Sequence, residues 1–295
     1  MDDGRLLTEV MPTAGGADRF LRFLTEELVP SVDARYRTQP YRVLVGHSFG
    51  GLFALHALVH EPESFHAYLA ISPSLQWNSG ELARGAPEAL SRLTAPGRGL
   101  YLTAGTEGDV PLGFIHTLTQ ALRKRKPPAL MWRYDEVRAE ELRGDDHGTM
   151  PLRGTYEGLK FLFSGWQPPE KLLLSGDLSR LEAHFAGLSQ RMGYPVLPPD
   201  GLLNNLGYRH LEAKRIPQAL AVFEREVALY PDCANAYDSL GDALAAAGRL
   251  QEALARYERA LALGRDHQDL NVPAYQRHVE GVRARLASDA GAGAR

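Results

Sequence analysis

Residues 42–59 set the tightest constraint on how this chain can fold. Arg42-Val43-Leu44-Val45 reads as a short buried strand, Gly46-His47-Ser48-Phe49-Gly50-Gly51 as a glycine-rich turn, and Leu52 to Val59 resumes helical spacing. A Gly-x-Ser-x-Gly segment held between a strand and a helix has the pattern of a nucleophile elbow. The chain must turn sharply there to lift the Ser48 hydroxyl above a sheet, and a Cβ at Gly46 or Gly50 is expected to crowd the turn. The helix that follows would aim its first N–H groups, and the positive end of its dipole, at a developing oxyanion.

The rest of the first half supports a sheet. Ala67–Ser72, Leu100–Ala104 and Leu130–Tyr134 read as further strands, with helical segments near 81–93 and 113–125 between them. Ahead of the motif, Asp18 can cap a helix whose apolar face includes Phe20, Phe23, Leu24, Leu28 and Val29. Strands alternating with helices imply βαβ units and a parallel sheet. Charge is nearly balanced, 33 Lys+Arg against 36 Asp+Glu, so no basic field points to nucleic acid or to a membrane surface. The single cysteine, Cys233, cannot form a disulfide within the chain, and no cysteine pair offers a zinc site. Two aspartates follow Met1, unlike the start of a secretory signal, so the sequence at face value is cytoplasmic.

Past a turn-prone connector at Trp166-Gln167-Pro168-Pro169-Glu170, helical periodicity takes over. Gly207, Ala219 and Phe223 recur as Gly241, Ala253 and Tyr257, each 34 residues later, and Pro231 closes the first unit. That is the tetratricopeptide period: small residues where paired helices cross, an aromatic in the groove. Amphipathic stretches at 178–192 and 272–287 are expected to flank the repeats, since two repeats share too little core to stand alone. The expected division is 1–165 for the sheet domain, 166–176 as linker, 177–287 as helical domain and 288–295 as a disordered tail.

A serine hydroxyl needs a base. Ten histidines are available, and nine lack a supporting pattern. His56 and His60 have the spacing of a zinc helix, but Ala57 stands where its glutamate would be. His47 and His66 neighbour strands, His116 opens a helix, and His184, His210, His267 and His278 belong to the tail. His147, in Gly144-Asp145-Asp146-His147-Gly148, lies between the last strand and a helix, where the base falls in the chain order serine, acid, histidine. The acid that orients it is expected after the third strand, in Gly105-Thr106-Glu107-Gly108-Asp109, where Glu107 and Asp109 both qualify. Asp145 and Asp146 are too close in sequence to His147 to be the first choice, though either could assist.

Ala14-Gly15-Gly16-Ala17-Asp18-Arg19-Phe20-Leu21, Gly46 to Leu55, Ile71-Ser72-Pro73-Ser74-Leu75 and Asp146-His147-Gly148-Thr149-Met150-Pro151-Leu152 together resemble the putative esterase family, related to esterase D and to siderophore esterases that open trilactones. The resemblance covers about residues 14–165 and implies an α/β-hydrolase fold, a pair matching Ser48 and His147, and an acid in the Gly105-x-Glu107 region, which favours Glu107. It also implies chemistry without metal or organic cofactor. In that fold several strands precede the nucleophile strand, whereas 41 residues precede Arg42 here, so the expected architecture lacks the early strands. Met1 would then be internal to a longer parent, which could carry an export signal to the periplasm or outside. The strand at 42–45 becomes an edge, open to pairing in a homodimer, and the Phe49 N–H serves the oxyanion alone.

Two functions follow as expectations. One is a serine esterase acting on siderophore-type lactones or short acyl esters, with Trp77 lining the substrate pocket. The other is a non-catalytic tetratricopeptide interaction protein that binds a protein or peptide partner and carries a degenerate hydrolase part. Neither calls for nucleic acid or membrane.

Overall fold

The computed structural model describes residues 14–94, 97–105, 107–137 and 147–293. The chain divides into two compact units, residues 1–166 with 189–195, and residues 167–188 with 196–295.

The first unit opens with α1 (Ala17–Arg22), which passes through a π-helical stretch, Phe23–Leu28, into α2 (Val29–Arg35). Pro30 accounts for the wider turn. It has no N–H to give the Glu26 carbonyl four residues back, and its ring would collide with that carbonyl in a regular α-helix. Leu21 is the buried residue, while Phe20, Phe23 and Leu28 from the expected apolar face are each more than two-fifths exposed. Nor does Asp18 cap the helix. Gly16 holds the cap position, and Asp18 lies in the first turn with its carboxylate bonded to His56.

The sheet has four parallel strands in the order β1 (Val43–His47), β2 (Ala67–Ile71), β3 (Arg98–Ala104) and β4 (Leu130–Glu136). β1 runs further than its apolar residues suggest, because the ladder continues through Gly46↔Ala70 and His47↔Ile71. The Ser48 N–H then donates to the Ile71 carbonyl at 3.0 Å. The strand therefore ends on the serine itself. Among the described residues β1 is an edge, and Val45 on it is exposed.

β2 and β3 are buried along their whole length, which is why they read as unbroken apolar runs. One face is covered by α3 (Phe49–His60), α4 (Glu81–Ser91) and α5 (Asp109–Arg125), through Leu58, Leu90, Ile115 and Leu118 packed on Tyr68, Leu100 and Leu102. The other carries α6 (Met150–Leu162), with Leu162 against Leu69 and Tyr101, and Met150 against Ile71. This is an α/β core with helices on both faces.

The second unit is helical. α7 (Glu170–Ser175) forms inside the stretch expected as linker, α8 (Leu178–Met192), whose residues from Ser189 on fall in the first unit, coincides with the expected flanking segment, and α9 (Asp200–Glu212), α10 (Ile216–Leu229), α11 (Ala234–Ala246), α12 (Leu250–Asp266) and α13 (Val272–Gly293) follow. α13 runs to Gly293, so residues 288–293, expected as disordered tail, continue the helix. The 34-residue recurrence reappears as packing. A Cβ on Gly207 would lie 2.3 Å from the Phe223 ring, and one on Gly241 would lie 2.5 Å from the Tyr257 ring. Ala219 and Ala253 are fully buried beside them. Between the two pairs, Asp242 accepts from the Tyr208 hydroxyl at 2.7 Å and from the Tyr257 hydroxyl at 2.6 Å.

Candidate active site

Ser48 sits between the last residue of β1 and the first of α3 with φ 57° and ψ −116°. This is a costly backbone conformation for a residue with a Cβ, of the order of 1–3 kcal/mol. It is held in place from two sides. The Ser48 N–H reaches Ile71 at 3.0 Å, and its carbonyl accepts from Leu52 at 3.0 Å and from Ser74 at 3.1 Å. Gly46 is indispensable to the turn, since a Cβ there would lie 1.9 Å from the Gly50 carbonyl oxygen. Gly50 differs from the expectation: a Cβ there meets nothing within 4 Å, because its hydrogen faces open space at the start of α3. The second tight glycine is Gly51, where a Cβ would come within 3.0 Å of both the Ile71 carbonyl oxygen and Pro73.

Because every strand is parallel, the C-terminal ends of β1, β2, β3 and β4 lie at one edge of the sheet. From the loop after β3, Glu107 presents a carboxylate that is 6% exposed. Its Oε1 accepts from the Gly105 N–H at 3.2 Å, and its Oε2 lies 2.6 Å from His147 Nδ1. Asp109, the other candidate, is exposed as the first residue of α5, which begins four residues earlier than its apolar pattern indicates. Asp145 and Asp146 lie outside the described residues. The His147 ring is half-exposed and packs on that of His47, with centroids 4.5 Å apart. Burial, and next the neighbouring His147, lower the pKa of His47, so the residue preceding the serine favours its neutral form.

Ser74 was not singled out by the sequence, although its hydroxyl lies 3.2 Å from that of Ser48. The signal was available: Ser72-Pro73-Ser74 follows β2, the immediate neighbour of β1. Phe49 begins α3 and is about half-exposed, with its ring edge-on to Trp77 at 5.3 Å. Both line a cavity of about 940 Å³ that extends along α3. His56 bonds Asp18, and His116 bonds Glu136 at 2.6 Å. Among the described residues no cluster of three His, Cys, Asp or Glu side chains could hold a metal ion.

With this geometry established, the comparison with known sequences is specific. Residues 3–145 match the family model described as "Putative esterase". This segment belongs to the putative esterase family. The chain is 36% identical over 136 residues to the siderophore enterobactin esterase of Emericella nidulans, covering 45% of this chain and 43% of that protein. A shorter stretch of 67 residues is 51% identical to the siderophore triacetylfusarinine C esterase of Aspergillus fumigatus, covering 22% of this chain and 23% of that one. The matches thus span less than half of these curated relatives. Among solved structures, the IroE-like serine hydrolase from Shewanella oneidensis superposes with a TM-score of 0.59 at 25% identity, covering 73% of this chain and 68% of that chain.

Proposed function

We propose that this protein hydrolyses carboxylic esters with Ser48 as nucleophile, His147 as general base and Glu107 as the acid that orients it. The observation carrying the reading is the strained serine at the β1–α3 corner, with the buried Glu107 bonded to His147 on loops at the same sheet edge. In the first step Ser48 Oγ bonds to the ester carbonyl carbon and its proton passes to His147 Nε2. The oxyanion that forms is bound by the Phe49 N–H at the start of α3. Glu107, accepting from Nδ1–H, fixes the tautomer and offsets the imidazolium charge. Collapse breaks the C–O bond, and the alcohol leaves with the proton from His147. Water, deprotonated by the same imidazole, then attacks the acyl-enzyme and releases the acid and Ser48. Trp77, edge-on to Phe49, borders the substrate cavity. The relatives' names make siderophore esters one substrate class to test, and short acyl esters another.

The 34-residue recurrence, with aromatics seated on Gly207 and Gly241, supports reading the second unit as tetratricopeptide-like, a surface suited to a protein or peptide partner. One observation favours a non-catalytic protein built around that surface: the Ser48 hydroxyl pairs with Ser74. A fluorophosphonate probe decides between the two readings. The esterase reading expects covalent labelling of the wild type and none of Ser48→Ala. No labelling of the wild type, or equal labelling of both, would leave the interaction protein.

A further inference from the structure

Apart from His56 and His60, α3 is apolar all round, whereas a helix lying on a sheet normally turns a polar face outward. Ala54, Leu55, Ala57 and Leu58 pack on the sheet. The outward stripe, Phe49, Leu52, Phe53, His56, Val59 and His60, lines the cavity of about 940 Å³ for the length of the helix, about 18 Å from its twelve residues. Such a volume is in the range that encloses a small-molecule ligand. Ala17 and Asp18 of α1 form one wall, and Glu81, Leu82, Gly85 and Ala86 of α4 form another.

We infer that this cavity holds the apolar, uncharged acyl arm of the ester, and that Gly85 sets how long an arm it accepts. The inference rests on the esterase reading above. Three observations support it. The near end of the cavity is Phe49, whose N–H faces the substrate carbonyl in that reading, with Trp77 beside it. The leaving alcohol takes its proton from His147, on the side of the loops after β3 and β4, which leaves the α3 groove to the acyl side. The charges of the wall select against an anion. Among the described residues the lining includes the carboxylates of Asp18 and Glu81 and no lysine or arginine. Asp18 receives a hydrogen bond from His56 Nε2 at 2.8 Å, and Glu81 one from the Asn78 amide. Arg84, next to Gly85, turns its guanidinium onto the Ser79 carbonyl. His60, at the far end, has its pKa lowered by burial and then by His56, so it adds a neutral ring. An arm ending in a carboxylate would lose its hydration there without gaining a cation.

Gly85 supplies the gauge. Gly85 lines the cavity and a Cβ built on it meets nothing within 4 Å, so the first carbon of a larger side chain displaces no protein atom, and the change replaces a glycine within a helix. The test compares kcat/KM of the full chain on p-nitrophenyl acetate, p-nitrophenyl octanoate and the mono-p-nitrophenyl ester of suberic acid, which matches octanoate in length but ends in a carboxylate. The wild type should prefer octanoate over the suberate half-ester by about tenfold or more. In Gly85→Leu the octanoate-to-acetate ratio should fall by about tenfold, and Asp18→Asn combined with Glu81→Gln should narrow the gap between octanoate and suberate. An unchanged octanoate-to-acetate ratio in Gly85→Leu, or wild-type cleavage of suberate and octanoate at equal rates, overturns the pocket while leaving the esterase standing. A wild type that cleaves none of the three esters removes the esterase reading, and the pocket falls with it.

Discussion

Glu107 shows how a side chain becomes committed to one task. With one oxygen on the Gly105 N–H and the other on His147 Nδ1, it is the carboxylate in its loop with a directional hold on the imidazole. Exchanging it for glutamine keeps the shape but allows the amide to donate, which favours the wrong imidazole tautomer. Glu107→Gln should therefore lower kcat on p-nitrophenyl acetate by about 10³–10⁴-fold, while Asp109→Asn at the exposed start of α5 should change it by less than about threefold. Equal losses in the two variants would mean that the geometry has been misread. The sequence alone could not separate these two residues, because the choice turns on where α5 begins. Apolar spacing is visible only from about residue 113, whereas the first helical turn, Asp109 to Leu112, carries little periodicity. The corner that holds Ser48 and the place of His147 between β4 and α6 were legible because the strand–turn–helix context and the chain order are local signals. Ser74 was not, since its proximity to Ser48 exists only once β2 lies beside β1.

At the scale of elements, the β1–α3 corner is the least forgiving joint. Gly46→Ala would drive a methyl into the Gly50 carbonyl, backbone against backbone, so no rotamer change can relieve it. It should cost about 3 kcal/mol or more, read as a lowered midpoint in denaturant unfolding of the first unit. Gly50→Ala, with open space around its Cβ and a helical backbone, should be neutral or stabilising by up to about 1 kcal/mol. A larger loss for Gly50→Ala than for Gly46→Ala would contradict the geometry of the turn. β2 and β3 were readable as apolar runs, because strands of a parallel sheet covered on both faces are apolar throughout. Their ends were not, because Gly46 and His47 pair in the ladder without being apolar β-formers. The phase from α1 to α2 was obscured by a π-helical stretch ahead of Pro30, which a strict 3.6-residue spacing over Phe20, Phe23, Leu24 and Leu28 does not anticipate. Likewise α7 is six residues long, too short to show a period in a stretch opened by two prolines.

Across the whole molecule, the two units solve burial differently, one with a sheet between helices and one with helix pairs that reuse a 34-residue plan. The repeat makes an exception visible. Glu226 lies 34 residues before Ala260, and both are completely buried, yet one is a carboxylic acid and the other a methyl group. Among the described residues neither Glu226 oxygen has a hydrogen-bond partner, and the nearby Asn204 amide donates to Ser239 Oγ at 2.7 Å. Burial is the main cause that pushes the Glu226 pKa up from 4.5 to about 7; Asn204 moderates the rise and Asp200 adds to it. The sign follows from linkage. Below about pH 4.5 the side chain is protonated in both states and nothing is lost. As pH rises toward 7 the unfolded chain ionises while the folded chain resists, so stability declines across that window and levels off above it, by roughly 3 kcal/mol in all. Glu226→Gln removes the titration while keeping the volume. The wild type and the variant should therefore have similar melting temperatures near pH 4.5 and diverge by pH 8, with the variant the more stable. A constant difference between them at every pH would mean that Glu226 ionises in the folded unit as readily as it does in water.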